Sequence, residues 1–227
     1  MPHPGSVIAA NFTSPIDALY LAAVFDPIFV SSYPGSQQVR HISLVRAIFT
    51  ALSRSLQLHE IVGPFPDVDV TDLPTLMARY PNRVIAIFPE CGTTNGRGIL
   101  PLSPCLLAVP ADKAIFPLSM RYTPPDVTTP VPGFKAWRQF LWKLLGRPTH
   151  CIRVRIAESI YNTTQASNGA HSSPPPTSDL IRDERTAEQQ RLLDRVAEDL
   201  ARLGRAKRVG LTMRDKQAFV EAWEKRK

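Results

Sequence analysis

"RVIAIFPECGTTNGRG" (83–98) decides the fold of this chain. Five apolar residues in a row, Val84 to Phe88, run into Pro89. Such a run fits a strand buried on both faces, as inside a parallel sheet. The loop behind it is rich in Gly, Thr and Asn. Gly92, Gly96 and Gly98 let backbone N–H groups approach an anion, and Arg97 adds a two-pronged phosphate donor. In open α/β sheets ligands bind beyond the carboxyl ends of strands, which is where this loop falls. A surface turn built on Asn95-Gly96 explains the same residues, so the loop alone leaves both readings open. No Gly-Lys-Ser/Thr follows, which excludes a nucleotide P-loop.

Working outward, the same alternation of strand and helix recurs. "SVIAAN" (6–11) predicts a buried strand, and "TSPID" predicts a helix start with Ser14 as N-cap, Pro15 in the first turn and Asp17 as the capping-box acid. "VRHISLVRAIFTALSRSL" (39–56) spaces Val39, Ile42, Val45, Phe49, Leu52 and Leu56 as one face of an amphipathic helix. "LHEIVG" (58–63) predicts a short strand, and "VTDLPTLMARY" (70–80) a helix capped by Thr71. "SPCLLAV" (103–109) repeats the Ser-Pro helix start. "AIFPLSMRY" (114–122) reads as a strand whose Pro117 asks for an edge or a bulge. "GFKAWRQFLWKLLG" (133–146) is a helix ending at Gly146, and "CIRVRIAE" (151–158) alternates as a half-buried strand. The predicted class is α/β: a mostly parallel central sheet flanked by helices, with a C-terminal helical extension.

The 227 residues are 44% hydrophobic and 21% charged, enough for one good core with appendages. The 22 prolines cluster at 101–132 and 174–176. We expect a body over 1–161, a disordered linker over 162–180 and a helical basic extension over 181–227. In that extension Leu193, Val196, Leu200 and Leu203 form a narrow stripe suited to docking, and Thr212 with Asp215 caps a last short helix. From Arg202 to Lys227 nine Lys/Arg face three Asp/Glu, so +6 of the net +7 sits there. Such a tail suits an anionic surface, or is simply a solvated helix. Cys91, Cys105 and Cys151 are too scattered for a disulfide framework or a zinc cluster, which favours a reducing, cytosol-facing setting. No run of 18 apolar residues occurs, and the first residues lack the basic and apolar regions of a secretion signal. The first motif begins ten residues in, which raises the expectation of a segment upstream.

Together, "NFTSPID" (11–17), "FPECGTTNGRG" (88–98) and "IFPLSMRYTPPDVTTPVPG" (115–133) resemble the ordered blocks of the glycerophospholipid acyltransferase family, in a layout most similar to fungal lysophosphatidic acid acyltransferase-like proteins. The resemblance covers residues 6–160. It implies transfer of an acyl group from acyl-CoA to a lysophospholipid hydroxyl, with lysophosphatidic acid giving phosphatidic acid. In the family a histidine takes the hydroxyl proton and an aspartate five residues later orients it. Asp17 stands at the aspartate position, and Phe12 stands at the histidine position. Glu90, Cys91, Gly92, Thr93, Asn95, Gly96 and Arg97 are the implied substrate-binding residues, Cys91 replacing the usual Gly and Gly92 the usual Thr. The block with Gly-x-x-Phe and a following Arg is not recognisable. Neither metal nor bound cofactor is implied, acyl-CoA being a co-substrate. The expected setting is a membrane surface on the cytosolic side, at the endoplasmic reticulum or a lipid droplet.

A phenyl ring cannot accept a proton, so a second expectation stands beside the first: an acyltransferase-fold protein that binds lipid without turnover. His3 reaches the site only if the terminus folds back. The spacing of His41, His59 and His150 favours no role, and His171 lies in the linker. Cys91 beside Glu90 is either a thiol nucleophile or a small packed residue. Asp17 has a purely structural alternative as the capping acid. The helix at 134–145 concentrates Phe134, Trp137, Phe140 and Trp142 with Lys135, Arg138 and Lys143, which suits either a membrane interface or the core. A nucleic-acid partner is not expected, since no binding fold is recognisable.

Overall fold

A computed structural model describes residues 1–53, 70–131, 133–163 and 178–225. Its main sheet runs β4-β3-β2-β5-β1-β7-β8, with β9 also pairing β7. The strands are β1 (Val7–Ala10), β2 (Ile28–Ser32), β3 (Val39–Ile42), β4 (Val70–Thr71), β5 (Ile85–Ile87), β7 (Ala114–Thr123), β8 (Cys151–Ile156) and β9 (Ile160–Tyr161). β2, β5, β1 and β7 are parallel and form the centre. β3, β4, β8 and β9 flank them with antiparallel pairings. A separate two-stranded ribbon joins β6 (Gly98–Ile99) to β10 (Lys207–Arg208).

The central strands bury both faces, as their unbroken apolar runs require. Val7, Ala9, Ile85, Ile87 and Ile115 face one core; Ile8, Ala10, Ala86, Phe88 and Leu118 face the other. The second core is covered by α1 (Pro15–Phe25) and α2 (Leu44–Leu52). The first is covered by α3 (Leu73–Arg79), a 3-10 helix at Pro104–Ala108 and α5 (Ser178–Gly204). α5 inserts Leu192, Val196, Ala197 and Leu200, so of the predicted stripe Val196 and Leu200 dock, Leu193 lies at the margin and Leu203 is outside the core. α4 (Phe134–Leu145) and α6 (Met213–Lys225) complete the helices.

The single helix expected over 39–56 divides in two. Val39–Ile42 is β3, and Ser43 caps a helix that begins only at Leu44. Val39 and Ile42 go to opposite cores, as residues three apart on a strand must, so their spacing carried no helical meaning. Within α2 the expected inward stripe is rotated: Val45 and Phe49 are exposed, while Ala47, Thr50, Ala51 and Leu52 are buried. Thr71 is in β4, and Asp72 holds the cap position of α3. The strand expected at 58–63 and most of the expected linker lie outside the described residues.

Pro117 is interior, not on an edge. It faces Ala9 of β1 on one side. On the other, its carbonyl accepts from Ala157 at 2.9 Å, in the gap between the end of β8 and the start of β9. Its missing N–H faces that gap, where no ladder bond is lost. Among the described residues, no helix is long and apolar enough to cross a membrane.

Candidate functional site

β1 and β5 are adjacent and parallel, but the chain leaves them on opposite sides of the sheet. From β1 it enters α1 over one core; from β5 it passes to the 3-10 helix over the other. This divergence opens a crevice at the carboxyl ends of the two strands. Both singled-out motifs sit there. Their loops are joined directly, with the Thr94 N–H donating to the Phe12 carbonyl at 2.8 Å.

The loop after β1 gathers many of its bonds on one carboxylate, that of Asp17. Asn11 locks β1 to β7: its amide donates to the Met120 carbonyl at 3.0 Å and its carbonyl accepts the Met120 N–H at 2.7 Å. Ser14 caps α1, and the predicted capping box is formed. Asp17 is fully buried. One carboxylate oxygen accepts from Thr13 N at 2.6 Å, Thr13 Oγ1 at 3.1 Å and Ser14 N at 2.9 Å. The other accepts the Tyr122 hydroxyl. Burial pushes the Asp17 pKa up to about 6 against the pull of those donors. Phe12 is buried, with its ring stacked on Phe88 at 4.1 Å between centroids. It borders a cavity of only about 20 Å³ with Ser32, Thr50, Phe88 and Cys91, about the size of one water site.

The loop after β5 is held from outside. Cys91 has φ 59°, a left-handed backbone that favours glycine, the residue the family resemblance expects there. Its sulfur lies 3.3 Å from Ser32 Oγ. Thr93 Oγ1 donates to the Thr129 carbonyl at 2.7 Å, and Ser103 N donates to the Pro89 carbonyl at 2.8 Å. Glu90 is fully buried and accepts from Leu100 N at 3.1 Å. Its Oε1 has no hydrogen-bond partner among the described residues. Burial raises the Glu90 pKa to about 8, and the Lys216 ammonium works in the opposite direction. Lys216 Nζ in turn donates to the Thr93 carbonyl at 2.5 Å. Gly92 is buried, and Gly96, at φ 68°, packs where a Cβ would meet the Thr13 methyl at 3.4 Å.

An open cleft of about 220 Å³ lies beside the joined loops. Asn11, Thr13, Asn95, Arg97, Arg121 and Thr128 are among its lining, which contains no acidic residue. Arg97 and Arg121 are both exposed. The cleft can therefore receive an anion the size of a phosphate ester. Asn95, Gly96 and Arg97 meet in it, whereas Glu90 and the Phe12 ring face protein. Of the described histidines none joins the two loops: His3 packs on Phe116, His41 is in β3, and His150 Nε2 sits at the Leu144 carbonyl. His59 and His171 lie outside the described residues. Sequence reasoning missed Tyr122, Arg121 and Lys216. Arg121 and Arg153 pair across β7 and β8, so their alternation was the available signal for Arg121. Nothing local marks Tyr122 or Lys216, whose partners are remote in the chain.

No protein-family profile matches the chain. It is 28% identical over 226 residues to a Schizosaccharomyces pombe protein named "Putative lysophosphatidic acid:oleoyl-CoA acyltransferase". The match takes in 98% of this chain and 64% of that relative, so the chain spans just under two thirds of the relative's length. The parallel-centred sheet with both motif loops at its crevice is the α/β arrangement that the family resemblance leads one to expect. Along nearly all of its own length the chain is thus similar to a fungal protein named as a lysophosphatidic acid acyltransferase.

Proposed function

We propose that this chain transfers an acyl group from acyl-CoA to the hydroxyl of a lysophospholipid, with lysophosphatidic acid as acceptor and phosphatidic acid as product. The observation that carries this reading is the meeting of the Asn11–Asp17 and Glu90–Arg97 loops beside a cleft lined by Arg97 and Arg121. Two guanidinium groups without an acid among the lining suit the phosphate of such an acceptor. The name of the fission-yeast relative supports the same acceptor and oleoyl-CoA as donor. In the reaction the acceptor hydroxyl loses its proton, its oxygen attacks the thioester carbonyl, and CoA leaves as thiolate. No metal or bound cofactor is invoked.

A second reading is favoured by Phe12. Its buried, stacked ring leaves the position of a general base without a proton acceptor. Loss of such a base costs roughly 10²–10⁴-fold in rate. The protein would then hold the lipid without transferring to it. Release of free CoA from oleoyl-CoA, measured with lysophosphatidic acid and purified protein, separates the two. Release by wild type supports transfer; no release by wild type, with release by Phe12→His, supports the binding protein. No release by either sinks the transfer reading.

The working surface in this proposal is a membrane on the cytosolic side, at the endoplasmic reticulum or a lipid droplet. Trp142 and Leu145 of α4 are each 80% exposed, and Lys135, Arg138 and Lys143 stand on the same helix with no acid. Aromatic side chains with snorkelling cations suit a lipid interface. No nucleic-acid partner is proposed. Co-sedimentation with phosphatidylserine-containing vesicles is expected, and W142S with L145S should weaken it about tenfold. Unchanged co-sedimentation by that double variant would remove α4 from the lipid contact.

A further inference from the structure

We infer that the C-terminal segment Arg205–Lys225 is a strap that completes the headgroup site, holding Arg97 and its loop in binding geometry, with Lys216 as a positioning residue. This rests on reading Arg97 as a ligand of the acceptor's phosphate.

The strap crosses the loop after β5 at three places. First, β10 pairs in parallel with β6: Lys207 N donates to the Arg97 carbonyl at 3.1 Å, and Val209 N to the Ile99 carbonyl at 3.0 Å. The Arg97 peptide is thereby gripped from both sides, because its own N–H donates to Asn95 Oδ1 at 2.9 Å. The fit is close, since a Cβ at Gly98 would come within 3.2 Å of the Val209 side chain. Second, Met213, at the start of α6, is buried in one cluster with Cys91 and Leu100. Third, Lys216 reaches the Thr93 carbonyl and lends its charge to buried Glu90.

Two segments more than a hundred residues apart in sequence thus build one site wall. Gly204 and Ala206 line the cleft alongside Arg97 and Arg121. The guanidinium of Arg97 hangs on a long side chain, while its backbone N–H and carbonyl are both bonded. Preorganised backbone lowers the ordering cost of binding. A tail that looked like a loosely held basic extension is, on this geometry, part of the pocket.

The test uses the full chain with Lys207→Pro, which deletes the N–H that reaches Arg97, and with Lys216→Met and Lys216→Arg. Amide hydrogen exchange is followed over residues 90–100. Capture is measured on phosphatidylcholine vesicles doped with lysophosphatidic acid or with 1-oleoylglycerol, which lacks the phosphate. Exchange in that window should quicken about tenfold in Lys207→Pro while β1 and β7 stay protected. Phosphate-dependent capture should fall by a similar factor in Lys207→Pro and Lys216→Met, and Lys216→Arg should restore most of it. Exchange and capture unchanged in Lys207→Pro would overturn the strap. Faster exchange with phosphate-dependent capture intact would leave a structural ribbon and overturn its part in binding. If wild type itself ignores the phosphate, the headgroup reading falls and takes this inference with it. Absence of CoA release, with the capture pattern as expected, removes only the transfer reading.

Discussion

The two loops at the crevice differ in how their bonds are gathered. In the loop after β1, three of the four donors to Asp17 come from Thr13 and Ser14, within four residues. In the loop after β5, the partners come from Ser103, Thr129, Lys207 and Lys216. Both loops combine local and remote bonds, but in the first they converge on one carboxylate, while in the second they are spread over separate struts. The difference teaches where each is vulnerable. A local knot fails when its central acceptor is removed, while a loop held by remote struts loses them one at a time.

The largest expected effect is therefore at Asp17. Asp17→Ala strands the buried donors of Thr13, Ser14 and Tyr122 and should cost about 3 kcal/mol in denaturant unfolding. Asp17→Asn, which keeps an acceptor, should cost less. Equal losses would mean that charge, not acceptor geometry, holds the knot. At the strut-held loop, Thr93→Val removes one hydroxyl from the Thr129 carbonyl and should cost only about 1 kcal/mol. A loss as large as that of Asp17→Ala would break the contrast.

Glu90 sharpens it through pH. Its pKa is raised in the folded chain, so the fold keeps a proton that the unfolded chain releases near pH 4.5. The stabilisation from that proton is complete below pH 4.5 and is lost as pH rises through about 8. Wild type should lose stability relative to Glu90→Gln between pH 5 and pH 9, read from denaturant midpoints. Parallel midpoints across that range would show that Glu90 is not desolvated as placed. The same sign holds for Asp17 with a window ending near pH 6, which Glu90→Gln leaves in place. The smallest effect is at Cys91. Relief of its left-handed backbone by Cys91→Gly should stabilise by about 0.5 kcal/mol, after the lost packing of the sulfur is subtracted. A destabilised variant would give the sulfur the larger share.

The contrast also explains what was legible in the sequence. The Ser14–Asp17 capping box is a four-residue pattern with a local cause, and it formed as read. The strand before Pro89 announced itself by five apolar residues that bury both faces, though only Ile85–Ile87 pairs as strand. β3 was hidden, because its four residues place Arg40 and His41 between two buried ends, and the three-residue spacing of Val39 and Ile42 imitated a helix. At the site, the Gly/Asn chemistry around Arg97 pointed to a loop that meets an anion. That Glu90 faces inward was not legible, since its surroundings come from Phe12 and Leu100 in the folded state. Arg121 was written in an alternating strand but needed the cleft to give it meaning. Lys216 lay in a basic run that looked uniform, and nothing in that run announces its reach to the Thr93 carbonyl.

The position of β1 has a kinetic consequence. Val7 pairs with Ile85 on one side and Ile115 on the other, so the first strand made is flanked by strands made much later. Closing such long intervals before any pairing is gained makes a slow, high-contact-order folding reaction. The emerging β1 must stay unpaired while the chain grows, exposing an apolar edge that chaperones would meet. The ribbon of β6 and β10 closes over a similar interval, so during synthesis the crevice takes its final form only after β10 has been made.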